Sequence, residues 1–117
     1  VSKSYAIAPK QPVPRRLPQV RTAPDKAAAF RALARQQGLT PTAALAALVN
    51  THAEIRQPFA PRVRAKPAEG KRYTELLPDP KVPTEQAEDL AQDAEVAGIS
   101  LGEALRQLVD RCLEQSR

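Results

Sequence analysis

His52 and Cys112 are the single histidine and the single cysteine of the chain. They come first in any search for chemistry, because imidazole and thiolate serve as metal ligands and catalytic groups. Alone they cannot hold zinc, which takes three or four protein ligands. Packing on a helix face accounts for both. The acidic cluster Glu85, Glu88, Asp89, Asp93 and Glu95 reads as a solvated face, with a docking surface for a basic partner as the alternative. No nucleophile stands with a histidine base, no Gly-rich loop could cradle phosphates, and no paired carboxylates sit in an apolar setting. The expectation is a protein that is not an enzyme and uses no cofactor or metal.

What remains is charge, and its distribution is uneven. Residues 1–21 hold five basic and no acidic side chains, and residues 56–83 hold seven basic and three acidic. Residues 22–55 hold three basic and two acidic, and residues 84–117 three basic and eight acidic. The positive charge therefore precedes each helical stretch and lies in segments without helical period. Such a surface suits a polyanion, nucleic acid above all. A solubilising tail is the plainer alternative.

The 117 residues suit one compact domain. With two Tyr, two Phe and no Trp, the core must come from Ala, Leu, Val and Ile. No apolar run approaches the ~20 residues of a membrane span. One cysteine excludes an internal disulfide and fits a reducing compartment, so the cytoplasm is the expected location. The sequence begins at Val1 and not at Met, which reads as a fragment or processed form.

The elements that must position any site occur twice. A shift of sixty carries Ala27, Ala34, Gly38, Ala44, Leu45, Leu48 and Val49 onto Ala87, Ala94, Gly98, Ala104, Leu105, Leu108 and Val109. Phe30 falls on Leu90, Leu39 on Ile99, Thr40 on Ser100 and Arg21 on Lys81. Two copies of a long period indicate a duplication, not a solenoid. Each helical unit is too small to bury a core alone, so the two should share one.

In order, residues 1–16 read as a flexible basic arm, with Pro9, Pro12 and Pro14. Leu17–Thr22 is extended. Thr22 then caps a helix with Pro24 in its first turn and Asp25 closing a capping-box-like pair. That helix runs to about Gln37 on the apolar face Ala27, Phe30, Leu33 and Ala34, and Gly38 stops it. Leu39 plugs the turn, Thr40 caps a second helix with Pro41 at its first position, and Gln57-Pro58 ends that helix near Ile55. Residues 56–76 form a basic, Pro-rich linker. The second repeat occupies 77–117. Its first helix opens at Pro83 or Thr84 and ends at Gly98, and its second is capped by Ser100 with Glu103.

An extended segment, a helix, a Gly–apolar–hydroxyl turn and a second helix resemble the ribbon-helix-helix DNA-binding family, here over roughly Leu17–His52 and again over Leu77–Cys112. The resemblance implies a mostly α fold with one short two-stranded antiparallel ribbon, built from two ribbon-helix-helix repeats as an intramolecular pseudo-dimer with 17–55 as the first repeat. In that family the ribbon enters the major groove, which has room for it. The N-terminus of each second helix points at a phosphate.

Carried over residue by residue, the resemblance makes Gln19 and Arg21 base readers, because Gln pairs bidentately with adenine and Arg with guanine. Leu17 continues that outward row without reading by hydrogen bond, while Pro18, Val20 and Thr22 point inward. The same offsets put Asp79 and Lys81 outward, with Lys81 a third base reader, and Pro78, Pro80 and Val82 inward. Two prolines and an acid make this strand a poor copy of the family pattern. The second strand is therefore 77–82 or 72–77, and recognition should be asymmetric, with the second half holding mainly backbone. Thr40, Thr42 and Ser100 are phosphate-contact candidates beyond their capping role. Arg15, Arg16, Arg62 and Arg64 could track flanking phosphates or be solvated charges.

One-repeat relatives are homodimeric repressors or antitoxins of bacteria and plasmids. Fused two-repeat members resemble the accessory proteins of T-DNA and conjugative strand transfer, which help a nicking relaxase. The expected function is double-stranded DNA binding in such a role, as a single-chain pseudo-dimer that could assemble further on DNA, with no membrane partner. A transcriptional repressor using the same contacts is one rival. A helical protein-interaction module with solubilising arms is the other.

Overall fold

The computed structural model describes residues 15–61 and 75–116. Four short strands and four helices follow in order: β1 (Arg15–Arg16), β2 (Val20–Thr22), α1 (Pro24–Gln36), α2 (Pro41–Ile55), β3 (Glu75–Leu77), β4 (Lys81–Val82), α3 (Thr84–Ala97) and α4 (Leu101–Gln115). The protein is mostly helical, with short antiparallel strand pairing. No helix of the described residues is long and apolar enough to cross a membrane.

Strand β1 pairs with β4 as Arg15↔Val82 and Arg16↔Lys81, and β2 pairs with β3 as Val20↔Leu77, Arg21↔Leu76 and Thr22↔Glu75. From Arg16 to Val20 the first strand advances four residues while the second retreats four, from Lys81 to Leu77. The two pairings therefore share one register. Leu17 N–H donates to the Pro80 carbonyl at 2.9 Å, in that same register. Residues 15–22 thus run continuously against 75–82. The middle is thin in ladder bonds because Pro18, Pro78 and Pro80 have no N–H. The register also survives the offset of sixty: Arg15↔Val82 becomes Glu75↔Thr22, and Arg16↔Lys81 becomes Leu76↔Arg21.

Several sequence expectations are corrected here. Arg15 and Arg16 belong to a strand and not to an arm. The second strand spans parts of both alternatives, with residues 72–74 outside the described set. Thr22 does not cap α1. It is fully buried in β2, and Ala23 is the N-cap, without a side-chain bond. Pro24 and Asp25 in the first turn and Arg35 in the last suit the helix dipole instead.

Both first helices end in the same motif. Gly38 and Gly98 each adopt φ 73°, the left-handed conformation open to glycine. The next residue's N–H returns to the helix, Leu39 to the Ala34 carbonyl and Ile99 to that of Ala94, each at 2.9 Å. Gly38 and Gly98 bond the Arg35 and Glu95 carbonyls, which completes a Schellman cap. Leu39 remains 39% exposed, so it caps the turn without filling it, whereas Ile99 is buried.

The core draws equally on both halves: Phe30, Leu45 and Val49 meet Leu90, Leu105 and Val109, roofed by Val20, Leu77 and Val82 from the strands. Helix α2 packs on both α3 and α4, and α1 packs on α4. Neither half closes a core by itself.

The start of the expected linker is packed, not free. Phe59 is buried, stacked on His52 with ring centroids 4.7 Å apart, and the Arg111 guanidinium lies over its ring, 5.0 Å from the centroid. Gln107 holds Ala60 at both ends, accepting from its N–H at 2.9 Å and donating to its carbonyl at 2.7 Å. The offset of sixty carries His52, Gln107 and Arg111 onto Cys112, Ala47 and Thr51, which with Phe30, Leu33 and Leu48 line an open groove of about 210 Å³.

Candidate nucleic-acid interface

Antiparallel partners lie on one face of a ribbon, and successive residues alternate between faces. Val20, Leu77, Thr22, Val82, Leu17 and Pro80 are buried toward the helices. Arg16 with Lys81, and Arg21 with Leu76, are exposed cross-strand pairs on the opposite face. Between them Pro18 and Gln19 are exposed, and Pro78 and Asp79 are partly exposed.

Leu17 is therefore not outward, as strict alternation from Gln19 required. It is 2% exposed and Pro18 is the exposed residue. The phase slips once between Leu17 and Val20, and again between Leu77 and Pro80, where proline removes donors and fixes φ. Pro78, expected inward, is part-exposed for the same reason.

Of the expected base readers, Gln19, Arg21 and Lys81 are all exposed on this ribbon. Arg16 stands beside Lys81, so it belongs to the same face and not to a flanking track. Its guanidinium pairs with Asp79 across the ribbon at 2.9 Å, which offsets the acid that the sequence places there. The asymmetry runs by end and not by strand. One end carries Arg21 and Leu76, the other Arg16, Lys81 and Asp79. Leu76 falls outside the 77–82 alternative, from which the outward residues are assigned, and inside the 72–77 alternative, for which none are. Beginning both strands two residues earlier, at Arg15 and Glu75, would have placed it outward.

Thr40, Thr42 and Ser100 are exposed at helix starts and are not part of the ribbon. Thr40 Oγ1 accepts from Ala43 N–H, and Ser100 Oγ from Glu103 N–H, each at 3.1 Å. The early N–H groups of a helix carry partial positive charge, which favours an anion. The first turn of α2 contains no acidic residue. That of α4 contains Glu103, whose carboxylate is clasped by Arg106 at 2.5 and 2.6 Å. The α2 start thus carries no acid, and the acid at the α4 start is offset by its arginine. Arg62 and Arg64 lie outside the described residues.

A second polar constellation ties the two halves together between the end of α2 and α3. Asp93 of α3 accepts from Arg56 Nε at 2.7 Å and from Arg56 Nη2 at 2.8 Å, and lies 2.8 Å from His52 Nε2. Arg56 also reaches Asp89 at 3.2 Å. The Arg56 hydrogen bonds, with His52 assisting, hold the Asp93 carboxyl below the usual carboxylate range against the opposing effect of burial. Arg56, at φ 56°, is the only non-glycine described in the left-handed region. Asp89 and Asp93 are thus structural ion-pair partners, which corrects the reading of the acidic cluster as simply solvated. Burial raises the pKa of the Cys112 thiol, which keeps it protonated and unreactive. Among the described residues no group of three or more His, Cys, Asp or Glu could hold a metal ion.

No family model, no curated protein and no solved structure matches this chain.

Proposed function

We propose that the protein is a double-stranded DNA-binding module that lays its ribbon in the major groove. On this reading it is a single-chain pseudo-dimer of two ribbon-helix-helix repeats, related by the offset of sixty. The observation that carries it is the ribbon's outward face, where Arg16, Gln19, Arg21 and Lys81 stand exposed over a buried inner row that is apolar except for Thr22. A two-stranded ribbon fits the major groove, and Arg and Gln match guanine and adenine edges there. Thr40, Thr42 and Ser100 at the helix starts would seat flanking phosphates, Arg15 would add charge, and Arg62 and Arg64 would extend the contact. The module is not an enzyme and needs no cofactor.

The Ala/Arg/Pro-rich composition, the tandem repeat and the long basic linker of the sequence resemble the virulence-region C accessory protein of T-DNA transfer. We assign it the corresponding role, beside a nicking site and in company with a relaxase in the bacterial cytoplasm. A salt titration with random-sequence and site-enriched duplexes tests the binding. Affinity should fall on a log–log plot with a slope near −0.9 per neutralised phosphate, and Arg21→Ala should abolish the preference for the enriched duplex. Salt-insensitive binding, or preference unchanged by Arg21→Ala, refutes it.

A further inference from the structure

We propose that Leu76 determines specificity by packing on a thymine 5-methyl group, so that the Arg21–Leu76 end of the ribbon reads a guanine beside a thymine. The inference rests on the DNA-binding reading above and adds a residue, a base and a polarity to it. A lone exposed leucine is ordinary on a protein surface; the position of this one is not. Leu76 is 41% exposed and is the direct cross-strand partner of Arg21. Direct partners on one face have Cβ atoms about 4.5–5.5 Å apart. If Arg21 spans the O6 and N7 of a guanine, the Leu76 methyls lie within reach of the neighbouring base pair. In the major groove only thymine offers a methyl group, and apolar side chains recognise it there.

Two further observations support this role. Arg31 of α1 donates to the Leu76 carbonyl at 3.1 Å, which anchors the backbone beneath the side chain. The offset of sixty relates Leu76 to Arg16, which instead pairs with Asp79. The opposite end therefore has two cations and an acid where this end has a cation, an apolar group and the amide of Gln19. The ends cannot read the same bases, so the preferred duplex is not palindromic.

The test starts with selection from a randomised duplex pool by the whole chain. Each thymine of the enriched duplex is then replaced singly by deoxyuridine, which lacks only the methyl. Losing one buried methyl should weaken binding about fourfold. The loss should appear at one thymine next to an Arg21-dependent guanine, on one side of the site only. Leu76→Ala, at an exposed position and checked by its thermal unfolding, should bind the thymine and deoxyuridine duplexes equally. Equal binding of both by the wild type, or discrimination that persists in Leu76→Ala, overturns the inference. Salt-dependent, Arg21-dependent selection would then still stand for the DNA reading. Absence of any enriched duplex overturns both.

Discussion

Replacing Asp93 with Asn tests how the two halves are held together. The carboxylate receives both Arg56 bonds and lies 2.8 Å from His52 Nε2, while its side chain is only 17% exposed and that of His52 only 1%. An amide keeps one acceptor oxygen but presents an NH₂ to the remaining donors and removes the charge. A hydrogen bond to a charged group contributes about 1.5–3 kcal/mol. Arg56 is open to water, which screens its share. The expected loss is therefore about 1–2 kcal/mol, a fall of about 5–10 °C in Tm for a domain near 100 residues. Urea denaturation at several pH values measures it. The Asp93 carboxyl is held below its ordinary value of 3.8 in the folded protein. Its stabilisation is thus present above the unfolded pKa and is lost as pH falls through the folded one. Wild type and Asp93→Asn should differ fully above about pH 5 and converge in stronger acid. Equal midpoints at pH 7, or a gap that persists in acid, would refute the reasoning.

Thr22 Oγ1 is buried with no partner among the described residues, and the residue sixty positions on is Val82. Thr22→Val should stabilise by about 1–2 kcal/mol in the same urea assay. Gly98→Ala should destabilise by about 1–2 kcal/mol from backbone strain alone, since nothing lies within 4 Å of the added methyl. Gly102→Ala, at the second position of α4 with only Ser100 Oγ at 3.9 Å, should stabilise by about 0.4–1 kcal/mol; thermal melts of the two variants should move in opposite directions. Asp79→Asn removes an acid from among the outward cations and frees Arg16. Duplex affinity at low salt should rise several-fold with it, and an unchanged or weaker titration would count against the ribbon face.

The helical frame was legible because its signals are local. Pro41 and Thr40, Ser100, and Gly38 and Gly98 mark helix ends through caps and left-handed turns that need only neighbouring residues. The offset of sixty made the second half a check on the first. The ribbon was less legible. Pro18 in the first strand region and Pro78 and Pro80 in the second blur period-two alternation, so the slip that buries Leu17 and exposes Pro18 has no signature in the pattern itself. Thr22 looked like a cap because hydroxyls favour helix starts, but a β-branched residue also fits a buried strand position. The contacts of His52 and Arg56 with Asp93 join residues 41 and 37 positions apart. They have no counterpart in the other repeat, where Leu33 and Cys112 stand in the matching places, so the repeat could not point to them. Phe59 was hidden for the same reason, in a Pro-rich stretch with the composition of a linker.

The most direct test of the central claim is methylation interference on the enriched duplex, which separates the grooves. Methyl groups at guanine N7 project into the major groove and those at adenine N3 into the minor groove. The ribbon account predicts that N7 methylation within the site prevents binding and that N3 methylation there does not. Interference confined to adenine N3, or none at either position, would contradict it.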